Sequence, residues 1–185
     1  MSDGKKIHRG FFSQGDETFL SPDCLTDIME KAFSYKCRDG FVLKGHMMLH
    51  GICDIFCDAL HERFGYPQRQ ISDEYGNLVH SFCVKKKGGR TFYIDARGIT
   101  TEYGDIVDAF DDWVGDKEKY AVHKYDVKNR EYYPDDYYED ALKGCREMVG
   151  KYSSYYDVGL VKLEKPVPFK GLGFAENGRE DGNAL

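Results

Sequence analysis

Residues 51–66 read Gly-Ile-Cys-Asp-Ile-Phe-Cys-Asp-Ala-Leu-His-Glu-Arg-Phe-Gly-Tyr, and they form the most informative segment of this chain. Apolar residues recur there at spacings of three and four, which predicts an amphipathic helix. Gly65 suits the position after the last helical turn, and Pro67 cannot continue the helix. Because Gly51 stands just before the helix, Cys53 falls in its first turn, where the positive end of the helix dipole favours a thiolate.

Two further segments of predicted regular structure follow this helix. Residues 78–85 and 91–96 read as strands, and the run Lys-Lys-Gly-Gly at 86–89 is a strong hairpin signal. His80 stands inside the first strand, which is otherwise apolar and therefore an unfavourable place for an unpartnered imidazole. With the turn centred on Gly88, His80 and Asp95 are expected to lie close to cross-strand neighbours.

These three side chains predict a papain-like catalytic set. A cysteine nucleophile needs a base to take its proton, and the base needs a third group that fixes its tautomer. We therefore expect Cys53 to attack a carbonyl, His80 to take and return the proton, and Asp95 to hold the imidazole ring. Cys57 lies one turn deeper in the helix and lacks the advantage of the first turn. This chemistry requires no cofactor and no metal.

The order of these residues resembles the transglutaminase-like branch of the papain-like cysteine enzymes. In small bacterial and phage proteins of that type, a similar Gly-x-Cys-x-x-Phe setting precedes Ala-Leu and a Phe-Gly-Tyr helix end, and His and Asp follow on strands. The resemblance covers residues 45–98. It implies an α+β fold in which N-terminal helices pack on an antiparallel sheet. It also implies a thiol protease, transglutaminase-like hydrolase or acyltransferase acting on a peptide bond or a glutamine side chain, with a protein or peptide as substrate.

The segment before the cysteine departs from papain. Papain has a glutamine a few residues upstream that completes its oxyanion hole, whereas residues 44–50 here read Lys-Gly-His-Met-Met-Leu-His and contain no amide side chain. The backbone N–H of Cys53 can supply one donor, and His46 or His50 is a candidate for the second. Proteolysis, deamidation, acyl transfer and a degenerate binding role therefore all stay open.

A structural zinc site is an alternative reading of the same region. Cys53, Cys57 and His61 recur every four residues, and His80 with Cys83 adds a His-x-x-Cys pair. Thiolate and imidazole are the ligands that zinc prefers. Against this, residues three apart on a strand point to opposite faces of the sheet.

Composition limits the other function classes. The chain has 185 residues, enough to form a single domain with a real core, and no linker divides it. A net charge of -6 argues against direct binding to nucleic acid or to an anionic membrane surface. No apolar run of about 20 residues and no secretory signal are present, so six cysteines are expected to be reduced thiols in the cytoplasm.

An acidic, tyrosine-rich run at residues 131–140 suggests a non-catalytic alternative. Such a surface could dock a basic protein partner, as a phage-encoded factor directed against a host protein would. A solvated helix start with aromatic packing is the simpler explanation of the same residues.

Several further elements are expected along the chain. They are an arm at 1–19, a helix at 21–36, an acidic amphipathic helix at 102–116, a strand at 120–127, a helix at 134–151, a strand at 158–163 and a flexible tail at 171–185.

Overall fold

The computed structural model describes residues 8–9, 31, 33–107 and 116–163. Eight strands lie in these ranges: β1 His8–Arg9, β2 Ser34–Lys36, β3 Val42–Lys44, β4 Gln68–Ser72, β5 Leu78–Lys87, β6 Arg90–Asp95, β7 Gly98–Thr100 and β8 Ala121–Lys124. Five α-helices lie there too: α1 Met47–His50, α2 Cys53–Phe64, α3 Tyr103–Val107, α4 Asp135–Lys151 and α5 Ser153–Tyr156. Short 3-10 helices cover Lys117–Lys119, Val127–Tyr132 and Val158–Leu160.

The main sheet is antiparallel and helices pack against it, as the sequence predicts for an α+β domain. Its strand order is β1-β7-β6-β5-β4-β8, and β2 with β3 forms a separate ribbon. The β5–β6 hairpin pairs Lys87 with Arg90, and its turn glycines, Gly88 and Gly89, have φ of 57° and 76°. Glycine adopts these positive φ values without steric cost, so the two residues fix the register of the hairpin.

Helix α2 is the centre of the core. It ends at Gly65, whose φ of 67° is left-handed and whose N–H donates to the carbonyl of His61. It packs against α4 and against the face of the sheet that carries Cys83 and Phe92.

The opposite face of the sheet has its own smaller apolar cluster. Ile71, Phe82 and Ile106 are buried there, with Tyr93 and Tyr103 packed against them. Because alternate residues of a strand share a face, His80 lies on this second face together with Phe82. The two rings stack with their centroids 6.4 Å apart.

The predicted helix at 21–36 is wrong at its end. Ser34–Lys36 is strand β2, paired in register with Val42–Lys44; before it, residue 31 is helical and residue 33 is not, and the rest of that prediction lies outside the described residues. Partners distant in sequence decide this strand, since the Tyr35 hydroxyl also reaches the Asp140 carboxylate at 3.4 Å. The periodicity of the isolated segment contains no sign of either partner.

The predicted strand at 158–163 is also wrong. Val158–Leu160 is a 3-10 helix, capped by the Asp157 side chain, which accepts from the N–H of Gly159. The Nζ of Lys87 donates to the carbonyls of Val158, Gly159 and Val161, so these carbonyls bind an ammonium group and do not join a sheet.

The other predicted elements agree with the structure or lie partly outside the described residues. The helix expected at 134–151 is α4, and the strand expected at 120–127 is the shorter β8. Helix α3 accounts for the first part of the acidic segment 102–116, most of whose remainder lies outside the described residues, as do Cys24, the tail 171–185 and the arm 1–19 apart from β1. No helix in the described ranges has the length and apolar character to cross a membrane.

Candidate active site

The structure brings His80 and Asp95 together at the ends of neighbouring strands. The β5–β6 register pairs Cys83 with Ile94, so one further step puts Asp95 opposite Phe82 and diagonal to His80 on the same face. The Nε2 atom of His80 lies 3.3 Å from Oδ2 of Asp95. Both residues are buried, and the His80 side chain has no solvent exposure.

Arg97 completes this pair, and the sequence reading did not identify it. Its Nε lies 3.1 Å from each carboxylate oxygen of Asp95, its Nη2 donates to Oδ2 at 2.5 Å, and its backbone N–H donates to Oδ1 at 2.9 Å. Its Nη1 donates to the carbonyl of Asp105 at 2.8 Å, which ties the pair to helix α3. What the sequence does show is an arginine two residues after Asp95. It stands in the turn between β6 and β7, where Asp95 pairs with Gly98.

The charges of this pair are determined by Arg97. Burial by itself would raise the pKa of Asp95, but the Arg97 charge and the hydrogen bonds from His80 and Arg97 lower it well below its usual value. Burial lowers the pKa of His80, against the opposing effect of Asp95. At neutral pH the pair is therefore a carboxylate hydrogen-bonded to a neutral imidazole.

Cys53 is the first residue of α2 and adjoins the strand that carries His80. Its Sγ accepts a hydrogen bond from the N–H of Ser81 at 3.4 Å, and Ser81 directly follows His80. Pairing of β5 with β6 runs from Cys83 to Lys87, so the N–H of Ser81 lies beyond that ladder. The cysteine sulfur thus occupies the place where the two strands part.

Two opposing influences act on the Cys53 thiol. Burial, followed by the negative charge of Asp54, raises its pKa to about 12. The N–H groups of Ser81, Asp54 and Cys53 itself lower the pKa, which is the direction expected at a helix N-terminus. Burial has the larger effect, so Cys53 is a neutral thiol at neutral pH and is only 7% exposed.

His50 lies close enough to the His80–Asp95 pair to be influenced by the charges of His80, Asp95 and Arg97. Although part of its side chain faces solvent, desolvation and the neighbouring His80, Arg97 and His46 lower the pKa of His50 to about 4. It is therefore neutral at neutral pH, with a ring N–H to donate. The Nδ1 of His46 is buried, with no hydrogen-bond partner among the described residues.

The residues of the zinc alternative are not assembled into a site. The Nδ1 of His61 is 2.8 Å from the carbonyl of Tyr66, and the thiol of Cys83 donates to the carbonyl of Cys57 at 3.7 Å. Within the described ranges, no group of three or more His, Cys, Asp or Glu side chains is arranged to hold a metal ion.

A buried polar network that the sequence reading missed holds the helix carrying Cys53. The Asp58 carboxylate accepts from Arg130 at 3.0 and 2.6 Å, from Tyr138 at 2.6 Å and from Gln68 at 2.8 Å. The hydroxyl of Tyr133 donates to Asp54 at 3.0 Å. Two tyrosines of the acidic run therefore bind α2 from within the fold.

Comparisons of this chain with protein-family models, with curated proteins and with solved structures gave no match.

Proposed function

We propose that this chain is a cysteine hydrolase or acyltransferase with a papain-like, transglutaminase-like catalytic core. Its substrate would be an amide, either a peptide bond or a glutamine side chain. The observation that carries the proposal is the juxtaposition of a buried His80–Asp95 pair, 3.3 Å apart, with a cysteine at a helix N-terminus. The N–H of Ser81, the residue after His80, donates to the Cys53 sulfur, so the sulfur lies beside the strand that carries His80.

The charge states of the resting site favour base-assisted attack. Cys53 is a thiol and His80 is neutral, so no thiolate–imidazolium pair exists before the substrate arrives. In the proposed step the imidazole takes the thiol proton as the sulfur bonds to the carbonyl carbon. The Asp95 carboxylate stabilises the imidazolium that forms, and Arg97 keeps that carboxylate ionised.

The remaining steps balance without a cofactor. The tetrahedral intermediate expels the amine, which takes the proton from His80, and a thioester of Cys53 remains. Water then attacks the thioester and releases an acid, or a primary amine attacks it and forms a new amide. His80 takes the proton of this second nucleophile and returns it to the departing sulfur.

Stabilisation of the oxyanion would come from backbone and histidine donors. The N–H groups at the start of α2 already surround the sulfur. His50 is a second donor candidate because it is neutral and close enough to His80 and Arg97 to be influenced by their charges. This arrangement would replace the amide side chain that papain uses.

A binding protein is the second candidate, and one observation favours it. Cys53 is 7% exposed, so a substrate carbonyl reaches the sulfur only if the site opens. In addition, Tyr132 is 85% exposed, between the exposed acids Glu131 and Asp135. That surface fits a basic protein partner.

The test is turnover of a peptide mixture followed by mass spectrometry. The enzyme proposal expects cleaved peptides, glutamine converted to glutamate, or amine-linked glutamine when a primary amine is added. Cys53→Ala and His80→Asn should abolish the products. Cys37→Ser is the matched control because Cys37 is also 7% exposed. Products that persist in Cys53→Ala would contradict the proposal.

A further inference from the structure

A groove lies on the face of the sheet that also carries His80 and Asp95. As formed by the described residues, it has a volume of about 360 Å³ and is open to solvent. Phe82, Tyr93 and Tyr103 form an aromatic wall, and Val122, which is 47% exposed, contributes from β8.

The aromatic wall connects the groove with the candidate active site. The ring of Phe82 lies 6.1 Å from that of Tyr93 and 6.3 Å from that of Tyr103, measured between centroids. The same Phe82 ring stacks on the imidazole of His80 at 6.4 Å. A molecule seated in the groove would therefore lie one side chain away from the His80 ring.

The charged residues of the groove favour an anionic ligand. Arg69 and Lys86 line it, and Lys124 is paired with Arg69 in the β4–β8 register, so it projects from the same face. Among the residues that the structure describes, no acidic side chain lines the groove. The chain as a whole has a net charge of -6, so this cationic groove is a local exception.

We propose that this groove binds an acidic peptide segment of the substrate beside the buried His80–Asp95 pair. The proposal rests on the proposed function, since it names the substrate class of that site. An extended peptide fits the features present: carboxylates opposite Arg69 and Lys86, and an aromatic or aliphatic side chain against Tyr93 and Tyr103. Single-stranded nucleic acid is less suited, because the chain carries a net charge of -6 and, among the described residues, the cations that line the groove are Arg69 and Lys86.

The experiment measures fluorescence anisotropy with Cys53→Ser protein, which binds without turnover. The probes are a fluorescein-labelled peptide of glutamate and tyrosine, a lysine–tyrosine peptide of equal length, and a labelled oligothymidylate. The glutamate–tyrosine peptide should bind best, and added salt should weaken it. The double variant Arg69→Glu with Lys86→Glu should weaken it by about tenfold, equal to about 1.4 kcal/mol.

The control carries the same change in net charge on the far side of the molecule. Lys36→Glu with Lys151→Glu lies on β2 and α4, which pack together on the other face, and should change binding by less than about twofold. If circular dichroism shows that the variant Arg69→Glu with Lys86→Glu does not fold, Arg69→Gln with Lys86→Gln replaces it. This milder variant should weaken binding severalfold.

The outcomes separate this inference from the proposed function. Acidic-peptide binding that depends on the groove, without any turnover, would support the groove and refute the enzyme. Turnover with an unchanged KM in the groove variants would support the enzyme and overturn the groove. Equal binding of the acidic and basic peptides, or tighter binding of oligothymidylate than of the acidic peptide, would also overturn it.

Discussion

The sulfur of Cys53 experiences two opposite electrostatic effects within one helical turn. Backbone N–H groups favour the thiolate, whereas burial and the Asp54 carboxylate favour the thiol. The balance explains how a cysteine at a helix start can be protonated at rest. As the proposed nucleophile, Cys53 would depend on a neighbouring base rather than on a low pKa of its own.

Replacing Asp54 tests this balance directly. Asp54→Asn removes a negative charge next to Cys53 and keeps an oxygen that can accept from the Tyr133 hydroxyl. The pKa of Cys53 should fall, and its alkylation rate above neutral pH should rise by about threefold to tenfold, since one pKa unit changes the thiolate fraction about tenfold. Peptide mass spectrometry after iodoacetamide pulses measures this rate, with the exposed Asp136→Asn as control. An unchanged rate would mean that the Asp54 charge does not act on the sulfur.

Arg97 is the second residue whose loss has a definite expected effect. Arg97→Met removes the guanidinium and leaves the buried Asp95 carboxylate with His80 and the backbone N–H of residue 97, and breaking a buried ion pair typically costs about 3 kcal/mol. The Arg146–Glu62 pair is exposed on both sides, so Arg146→Met should cost less than about 1 kcal/mol. Urea denaturation compares the two variants. Equal losses would show that the Arg97 clamp is not a stabilising feature.

The residues of the site differ in how far the sequence reveals them. The hairpin turn at Gly88 sets the separation of His80 and Asp95, so local signals were enough to predict their proximity. The contact of Arg97 with Asp95 depends on the tight turn between β6 and β7, which no spacing rule indicated. The burial of Cys53 depends on tertiary packing around the start of α2, which no local pattern in the sequence indicates.

At the scale of single elements, α2 is held in place by its polar side as well as by its apolar side. The Asp58 carboxylate gathers hydrogen bonds from β4, from the 3-10 helix Val127–Tyr132 and from α4. The following strand and two elements distant in sequence are thus tied to the helix that carries Cys53. The acidic tyrosine-rich run contributes to this network, so only part of it remains available as a surface.

Asp58→Ala should weaken the attachment of α2. Its removal leaves the Tyr138 hydroxyl and the Gln68 amide without their acceptor, which we expect to cost about 2 kcal/mol. Asp136→Ala, at an exposed position on α4, should stay within about 0.5 kcal/mol of the unchanged protein. Thermal unfolding followed by circular dichroism measures both. A loss below that of the control would contradict the role given to this network.

Elements with strong local signals were predicted, and those set by distant partners were not. Helix α2 has periodicity and a glycine end signal, and α4 has acids at its start and a basic residue, Lys151, in its last turn. In contrast, β2 exists because β3 pairs with it, and the segment after Asp157 is shaped by the Lys87 ammonium. Tertiary contacts override weak local preferences in such cases.

At the scale of the whole molecule, buried ionisable groups predict a stability maximum near neutral pH. The folded-state pKa values of His50 and His80 are lowered, so the unfolded chain takes up protons first and stability falls below about pH 6.5. Those of Cys53, Cys57 and Cys145 are raised, so the unfolded chain loses protons first and stability falls above about pH 8.5.

Denaturation midpoints measured across this pH range would show both the fall in stability at acid pH and the fall at alkaline pH. His80→Asn should make the fall in stability at acid pH shallower, because residue 80 of the variant no longer gains a proton on unfolding. His123→Asn changes an exposed histidine on β8 and is the matched control. A stability profile that stays level between about pH 5 and pH 7 would contradict the buried neutral state of His80.

The central claim is that His80 acts as the base for Cys53, and alkylation kinetics test it most directly. Cys53 and Cys37 are both 7% exposed, so access alone predicts similar iodoacetamide rates. If His80 serves Cys53, native Cys53 should react faster than Cys37 at neutral pH, and His80→Asn should remove the difference. Equal rates at the two cysteines, unaffected by His80→Asn, would contradict the claim.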